Sequence, residues 1–338
     1  MTRLYVILKA DPQIGTGHLM RCLNLIQKLH NCEITFALPR ISPQVKTLLG
    51  SFSSLELGAF EKFPEILQSY HDPDAVVLVD CYSLDASFEK KCRPFCKKLM
   101  VVDDLGNRPH DCDLLVDGNI GSIPAKYHSL VPHHCKLLTG NAYSLINPVF
   151  SSCRKTSLPE KFKTGLICFG GSDPVHGVLN TVKTILQSPL LSNLSYTIIS
   201  GAINPDYEEI SRLVAASRHQ WTLLRHTDQM PQLLQSHDFS IGAAGGMSLE
   251  RFCIGIPTIA TEIADNQKGF KNLCDTFNLG VVLQPDDLCQ KDKLEDAFLL
   301  LEQNGSTYMK NGQALVDGQG ILRVAASMEE LINTPSSL

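Results

Sequence analysis

The chain has 338 residues, 43% hydrophobic and 19% charged, with a formal net charge of −5, which predicts a globular protein of two domains with full cores. The negative balance, with no basic block of five or more residues, excludes a nonspecific nucleic-acid binder. The first apolar run, "LYVIL" (Leu4 to Leu8), is too short for a secretory core or a membrane span, and the twelve cysteines are scattered with no C-x-x-C pair to signal a zinc ribbon or a thioredoxin motif. A reduced, cytoplasmic protein is expected, with no membrane and no nucleic acid as partner.

In chain order, "LYVIL" leads into "ADPQIGTGHLMRC" (Ala10 to Cys22), a glycine turn opening a helix. In "HLMRCLNLIQKLH", Leu19, Cys22, Leu23, Ile26 and Leu29 share one face. Strand candidates follow at "EITFAL" (Glu33 to Leu38), "AVVLVD" (Ala75 to Asp80), "KLMVVDD" (Lys98 to Asp104), "CDLLVD" (Cys112 to Asp117) and "CKLLTG" (Cys135 to Gly140). Continuous apolar runs that end in Asp or Gly are typical of buried parallel strands. Residues 147–164, rich in Pro, Ser and Lys, are expected to form an interdomain linker. The alternation then restarts with "GLICFGG" (Gly165 to Gly171), "LSYTIISG" (Leu194 to Gly201), "WTLLRH" (Trp221 to His226), "FSIGAAGG" (Phe239 to Gly246) and "PTIATEI" (Pro257 to Ile263). The amphipathic "GILRVAASMEELIN" closes the pattern as a helix. The expected class is α/β, with two Rossmann-like domains (1–150 and 165–320) facing an interdomain cleft. Residues 321–338 are expected to form a helix packing back on the N-terminal domain.

Ligands of such sheets gather at the carboxyl ends of the strands, where glycine turns and helix N-termini meet. "CFGGSDPVHG" puts Gly170, Gly171 and Ser172 at one such junction. The turn suits a phosphate, because backbone N–H groups can approach it closely; Ser172 or Asp173 could equally be a plain N-cap. "GAAGGMSLERFCIGIP" puts Gly245, Gly246, Met247 and Ser248 at another, followed by Glu250 and Arg251 in the expected first helical turn. Glu250 can accept from both hydroxyls of a ribose, or can simply favour the helix dipole. "ADNQ" crowds Asp265, Asn266 and Gln267 into a loop after a strand. In "GTGH", Met20 stands where G-x-G-x-x-G needs its third glycine, and there is no Walker A sequence. "DPD" (Asp72 to Asp74) reads as a turn, and "HHC" (His133 to Cys135) as a surface loop rather than a metal site.

Taken together, "GTGHLMRCL", "VDCY", "VDDLGNRPHDCDLLVDGN", "CFGGSDP", "GAAGGMSLERFCIGIPTI" and "ADNQ" resemble, in order from Met1 to Val282, the UDP-sugar hydrolases of pseudaminic acid biosynthesis. That family removes UDP from UDP-2,4-diacetamido-2,4,6-trideoxy-β-L-altropyranose, giving the free sugar without a metal or other cofactor. It is similar in fold to the two-domain GT-B glycosyltransferases, in which the C-terminal domain holds the UDP. The resemblance implies catalytic roles for His18, Tyr82 and Asn266. It implies UDP binding by Gly171, Ser172, Gly245, Gly246, Met247, Ser248 and Glu250, and sugar contacts from Gly17, Arg21, Asp265 and Gln267. Two positions depart from the family's usual pattern: Met247 in the glycine turn, and Cys81 where "VDSY" has serine. A monomer is expected, with the UDP-sugar as substrate and UDP as product.

The chemistry is consistent with that implication. UDP is a good leaving group, so dipoles that stabilise the diphosphate replace a general acid. What remains is to activate water on the opposite face of the sugar, a task suited to a histidine at neutral pH. Attack from that side predicts inversion at the anomeric carbon. Asp80 or Asp103, acting as in two-carboxylate glycosidases, is the alternative base. Arg108 could line the sugar or form a structural salt bridge. A glycosyltransferase using a UDP-amino sugar, a hydrolase of a related nonulosonic-acid UDP-sugar, and a non-catalytic nucleotide-sugar binder are the other readings.

Overall fold

The structure is a computed structural model that describes residues 1–10, 17–201, 203–217, 219–264 and 267–334. The chain divides into two compact units: Met1–Pro148 with Gln319–Leu338, and Val149–Gly318.

The first unit is built on a seven-stranded, all-parallel sheet. Its strands are β1 (Thr2–Leu8), β2 (Cys32–Leu38), β3 (Ser53–Glu56), β4 (Val76–Asp80), β5 (Lys98–Val102), β6 (Leu114–Asp117) and β7 (Lys136–Thr139), in the order β3-β2-β1-β4-β5-β6-β7. The second unit repeats the plan with six parallel strands: β8 (Thr164–Cys168), β9 (Ser195–Ile199), β10 (Trp221–Leu224), β11 (Phe239–Ala243), β12 (Thr258–Thr261) and β13 (Val281–Leu283), in the order β10-β9-β8-β11-β12-β13. Each order reverses direction once, between β1 and β4 in the first sheet and between β8 and β11 in the second. A doubly wound sheet opens a crevice for ligands beyond the strand ends at such a reversal. Both units are Rossmann-like, and the fold is of the GT-B type.

The central strands are legible in the sequence because both of their faces are covered, so they read as unbroken apolar runs. β4 and β6 are buried at every position. Edge strands carry a weaker signal. β3 ("SSLE") and β13 ("VVL") are partly exposed and short, and neither stands out in the sequence. Helix Gly17–Ile26 buries Leu19, Cys22, Leu23, Leu25 and Ile26. Each large apolar side chain among them contributes roughly 1.5–3 kcal/mol.

The segment expected as a linker is not a free tether. It contains the short helix Val149–Ser152. Lys155 N donates to Ile254 O (2.8 Å), Phe162 N donates to Glu302 Oε1 (2.8 Å), and the Phe162 ring is buried in the second unit's core. The buried Phe162 ring and the backbone hydrogen bonds outweigh a Pro- and Ser-rich composition. Helix Gly320–Asn333 joins the first unit, where Ile321, Val324, Ala325, Met328 and Ile332 share a core with Leu19, Leu23 and Ile26. Among the described residues, no helix is long and apolar enough to cross a membrane. All twelve cysteines are free thiols.

Candidate functional site

In the first unit the reversal point lies between β1 and β4, and the site begins there. Gly17 opens helix Gly17–Ile26 after β1, and His18 follows it with its side chain mostly covered. β4 ends in Asp80, which is fully buried. His18 Nδ1 lies 2.6 Å from Asp80 Oδ1. An ionised carboxylate only accepts, so the proton of this bond sits on Nδ1, and in the neutral ring the lone pair is then on Nε2. Arg21, one helical turn after His18, donates Nε to Asp80 Oδ2 (2.6 Å), Nη2 to Asp80 Oδ1, and Nη1 to Asp104 Oδ2 (3.0 Å). The Cys22 thiol adds a contact to Asp80 Oδ2 at 3.3 Å. Burial alone would push the Asp80 carboxyl up, but the charge of Arg21 and the hydrogen bonds from Arg21 and His18 hold it well below the usual carboxylate range. Against the pull of burial, Asp80 in turn holds Arg21 above its ordinary value.

Tyr82 stands beside this group. Its ring meets the His18 ring edge to face, with centroids 4.6 Å apart, and its hydroxyl donates to Asp104 Oδ2 (3.0 Å). Sequence reasoning missed Asp104, and it weighed Asp80 only as a rival base. The available signal was that β4, β5 and β6 each end in or run into aspartate (Asp80, Asp103, Asp117), all three fully buried. Each has its own cation: Arg21 on Asp80, Arg108 Nη1 on Asp103 Oδ1 (2.7 Å), and Lys126 Nζ on Asp117 Oδ2 (2.8 Å). Arg108 also donates to the Leu84 and Cys81 carbonyls, which makes it a structural clamp. Tyr127 OH donates into the Asp103 and Asp117 carboxylates. Asp103 is thus tied up in the scaffold, whereas Asp80 faces His18.

In the second unit the reversal lies between β8 and β11, and the two glycine turns follow those strands. After β8, Asp173 has positive φ (48°) and its carboxylate accepts from Gly177 N (2.7 Å) and Val178 N (2.9 Å), filling the N-terminus of helix Gly177–Gln187. Asp173 satisfies these N–H groups from upstream, while the residue at the N-cap position is His176 and neither Asp173 nor Ser172. Gly171 and Ser172 have only loop atoms to offer a ligand. After β11 the arrangement is different. Gly245 has φ +93°, and helix Gly246–Ile254 starts with no side-chain cap. The Gly246 and Met247 N–H groups have no partner among the described residues and remain available to an anion, while Ser248 N donates to Gly245 O (2.9 Å). Ser248 is fully buried, and its Oγ has no hydrogen-bond partner among the described residues.

Glu250 lies in the second turn of this helix rather than the first, which removes the simple dipole explanation. With Met247 and Arg251 it borders a gap too tight for a water, against side chains that include Met230, Leu234 and Cys168. Burial pushes the Glu250 carboxyl up to about 7, with part of the shift returned by the Arg251 charge. Gln267 accepts from Ile263 N (2.8 Å) and packs its amide beside Gly245, where a Cβ would stand 3.2 Å from Nε2. Asp265, Asn266 and Gly15 lie outside the described residues.

No family model matches the chain. Among curated proteins it is 27% identical over 267 residues to the spore coat polysaccharide biosynthesis protein SpsG of Bacillus subtilis, covering 76% of each chain. It is 23% identical over 244 residues to the UDP-2,4-diacetamido-2,4,6-trideoxy-beta-L-altropyranose hydrolase of Campylobacter jejuni, covering 71% of this chain and 85% of that one. Among solved structures, MurG of Acinetobacter baumannii superposes with a TM-score of 0.65 at 12% identity, over 97% of this chain and 99% of that one. The UDP complex of MnaA from S. aureus does so with 0.61 at 13% identity, over the whole of both chains.

Proposed function

We propose that the protein hydrolyses a UDP-activated amino sugar to the free sugar and UDP, with UDP-2,4-diacetamido-2,4,6-trideoxy-β-L-altropyranose as the substrate. The observation that carries this reading is the His18–Asp80 pair at 2.6 Å. It commits Nδ1 to a carboxylate and points the base function to Nε2, as an orienting carboxylate does for other catalytic histidines. In the proposed step, water adds to the anomeric carbon and gives its proton to His18 Nε2. The bond to the diphosphate oxygen breaks with its electron pair, and UDP leaves from the opposite face, so the configuration inverts. The buried Asp80 carboxylate stabilises the imidazolium that forms.

The second unit takes the nucleotide in this reading. The uncapped turn Gly245–Ser248 receives the diphosphate on backbone N–H groups, and the buried, unpartnered Ser248 hydroxyl supplies one more donor. Glu250 accepts the two ribose hydroxyls. Tyr82 and Asn266 orient the sugar and water. Gly17, Arg21, Asp265 and Gln267 complete the expected set, with Arg21 acting chiefly through Asp80 and Asp104. The two curated relatives support the choice of chemistry, one by its name as a UDP-sugar hydrolase of this substrate and one by its name in polysaccharide biosynthesis.

The test is incubation with a panel of UDP-diacetamido sugars, following UDP release and anomeric configuration by NMR. Release with inversion from the altro-configured sugar is expected. Intact UDP binding with no release from any of the sugars would overturn the reading in favour of a binder. Release only when an acceptor alcohol is added would overturn it in favour of a glycosyltransferase.

A further inference from the structure

The second unit buries a guanidinium at the reversal of its sheet. Arg251 is 1% exposed, and it is one of the largest fully covered side chains of the protein. Nη1 donates to the Ala243 carbonyl at the end of β11 (2.8 Å), and Nη2 donates to the Cys168 carbonyl at the end of β8 (3.1 Å). It therefore straddles the two strands between which the strand order reverses. The backbone makes room for it: a Cβ on Gly242 would overlap both the Cys168 carbonyl and Arg251 Nη2. Among the described residues no carboxylate forms an ion pair with Arg251; its partners are two neutral carbonyls. A buried charge held this way is costly unless something uses it.

The user is indicated by position. Arg251 lies in the helix that starts at the Gly245–Ser248 turn, and that turn offers the unpartnered N–H groups of Gly246 and Met247 and the orphan Ser248 hydroxyl. The carbonyl ends of parallel strands present partial negative charge to whatever binds beyond them. A guanidinium that binds two of these carbonyls removes that repulsion and adds a net positive charge. We propose that Arg251 is a positioning residue whose buried charge, which no carboxylate binds directly and the neighbouring Glu250 offsets only in part, readies the Gly245–Ser248 turn for a diphosphate, so that it selects UDP over uncharged uridine. The inference rests on the nucleotide reading above and adds a specific residue to it.

The test compares UDP and uridine binding by calorimetry for the wild type, Arg251→Met and Arg251→Lys, with thermal unfolding of each. In Arg251→Met, UDP affinity is expected to fall about tenfold or more while uridine stays within about threefold. Equal losses for both ligands, or no loss for UDP, would overturn the proposal. Should Arg251→Met fail to fold, Arg251→Lys decides. A lysine confined here deprotonates more readily than arginine. Its UDP-to-uridine preference should therefore collapse between about pH 7 and pH 10 while the wild-type preference holds; a preference that stays flat in that variant would equally overturn the role. A wild type that binds neither ligand would instead sink the nucleotide reading itself.

Discussion

His18 Nδ1 and Asp80 Oδ1 lie 2.6 Å apart although 62 positions separate the two residues in the chain. The contact exists because β1 and β4 are hydrogen-bonded neighbours, with Leu8 paired to Asp80. Helix Gly17–Ile26 starts close to that strand end, so His18 meets the carboxylate at the end of β4.

Asp80→Asn tests what that contact does. Asparagine keeps the shape but offers an amide in place of an acceptor-only carboxylate, so the imidazole loses its enforced tautomer. Turnover is expected to fall roughly 10²- to 10⁴-fold, with a much smaller change in KM. His18→Ala should fall at least as far. Steady-state rates of UDP release, on variants checked for folding by circular dichroism, decide the point. Full turnover in either variant would remove the pair from the mechanism.

The same carboxylate should shape acid stability. Its folded-state pKa is depressed, so its contribution is present above the unfolded value of about 3.9 and is lost as pH falls through the folded value. The wild type should lose stability steadily below about pH 4. Asp80→Asn should show a shallower acid limb, from a lower plateau, because Arg21 is left without its main partner, at a cost of roughly 3–5 kcal/mol. Denaturant titrations across that pH range would show it, and parallel limbs in the two proteins would refute it.

Glu250 has the opposite sign. Its folded pKa of about 7 lies above the unfolded carboxylate value, so the folded protein loses stability as pH rises from about 4.5 through 7. Glu250→Gln should erase that part of the pH dependence. In the ribose role only the ionised form accepts from both hydroxyls, so uridine affinity should rise between about pH 6 and 8 in the wild type and stay flat in Glu250→Gln. Calorimetric titration with uridine reads this directly, since uridine carries no phosphate of its own to titrate there.

Gly245→Ala probes the turn. At φ +93° a side chain is strained, and the new Cβ would press on Gln267 Nε2. A loss of about 1–2 kcal/mol of stability is expected, with UDP binding weakened further because the N–H groups that follow are re-aimed. Unchanged UDP affinity in the folded variant would show that the turn does not bind the diphosphate.

Removing residues 319–338 should unfold the first unit while sparing the second. Ile321, Val324, Ala325, Met328 and Ile332 are buried against the first unit's core. At roughly 1–3 kcal/mol each, their loss is comparable with the whole stability of a domain. Limited proteolysis that leaves the first unit as resistant as the second would contradict this.

The sequence by itself determined the α/β class, the two-unit plan, the central strands and the glycine turns. These are local facts: a strand buried on both faces must be apolar throughout, and a turn with positive φ favours glycine. It could not determine how Asp80, Asp104 and Arg251 are used. In the string, Asp80 is one more acidic strand end, Arg251 one more helical arginine, and residues 147–164 a polar spacer. Only the tertiary structure placed Asp80 under His18, drew Arg251 across the ends of β8 and β11, turned the Asp173 carboxylate onto the first N–H groups of its helix, and sank Phe162 into a core. The physical reason is that partnership between charges depends on distance and burial, and in a parallel sheet both are set by strand order, which joins residues far apart in the chain.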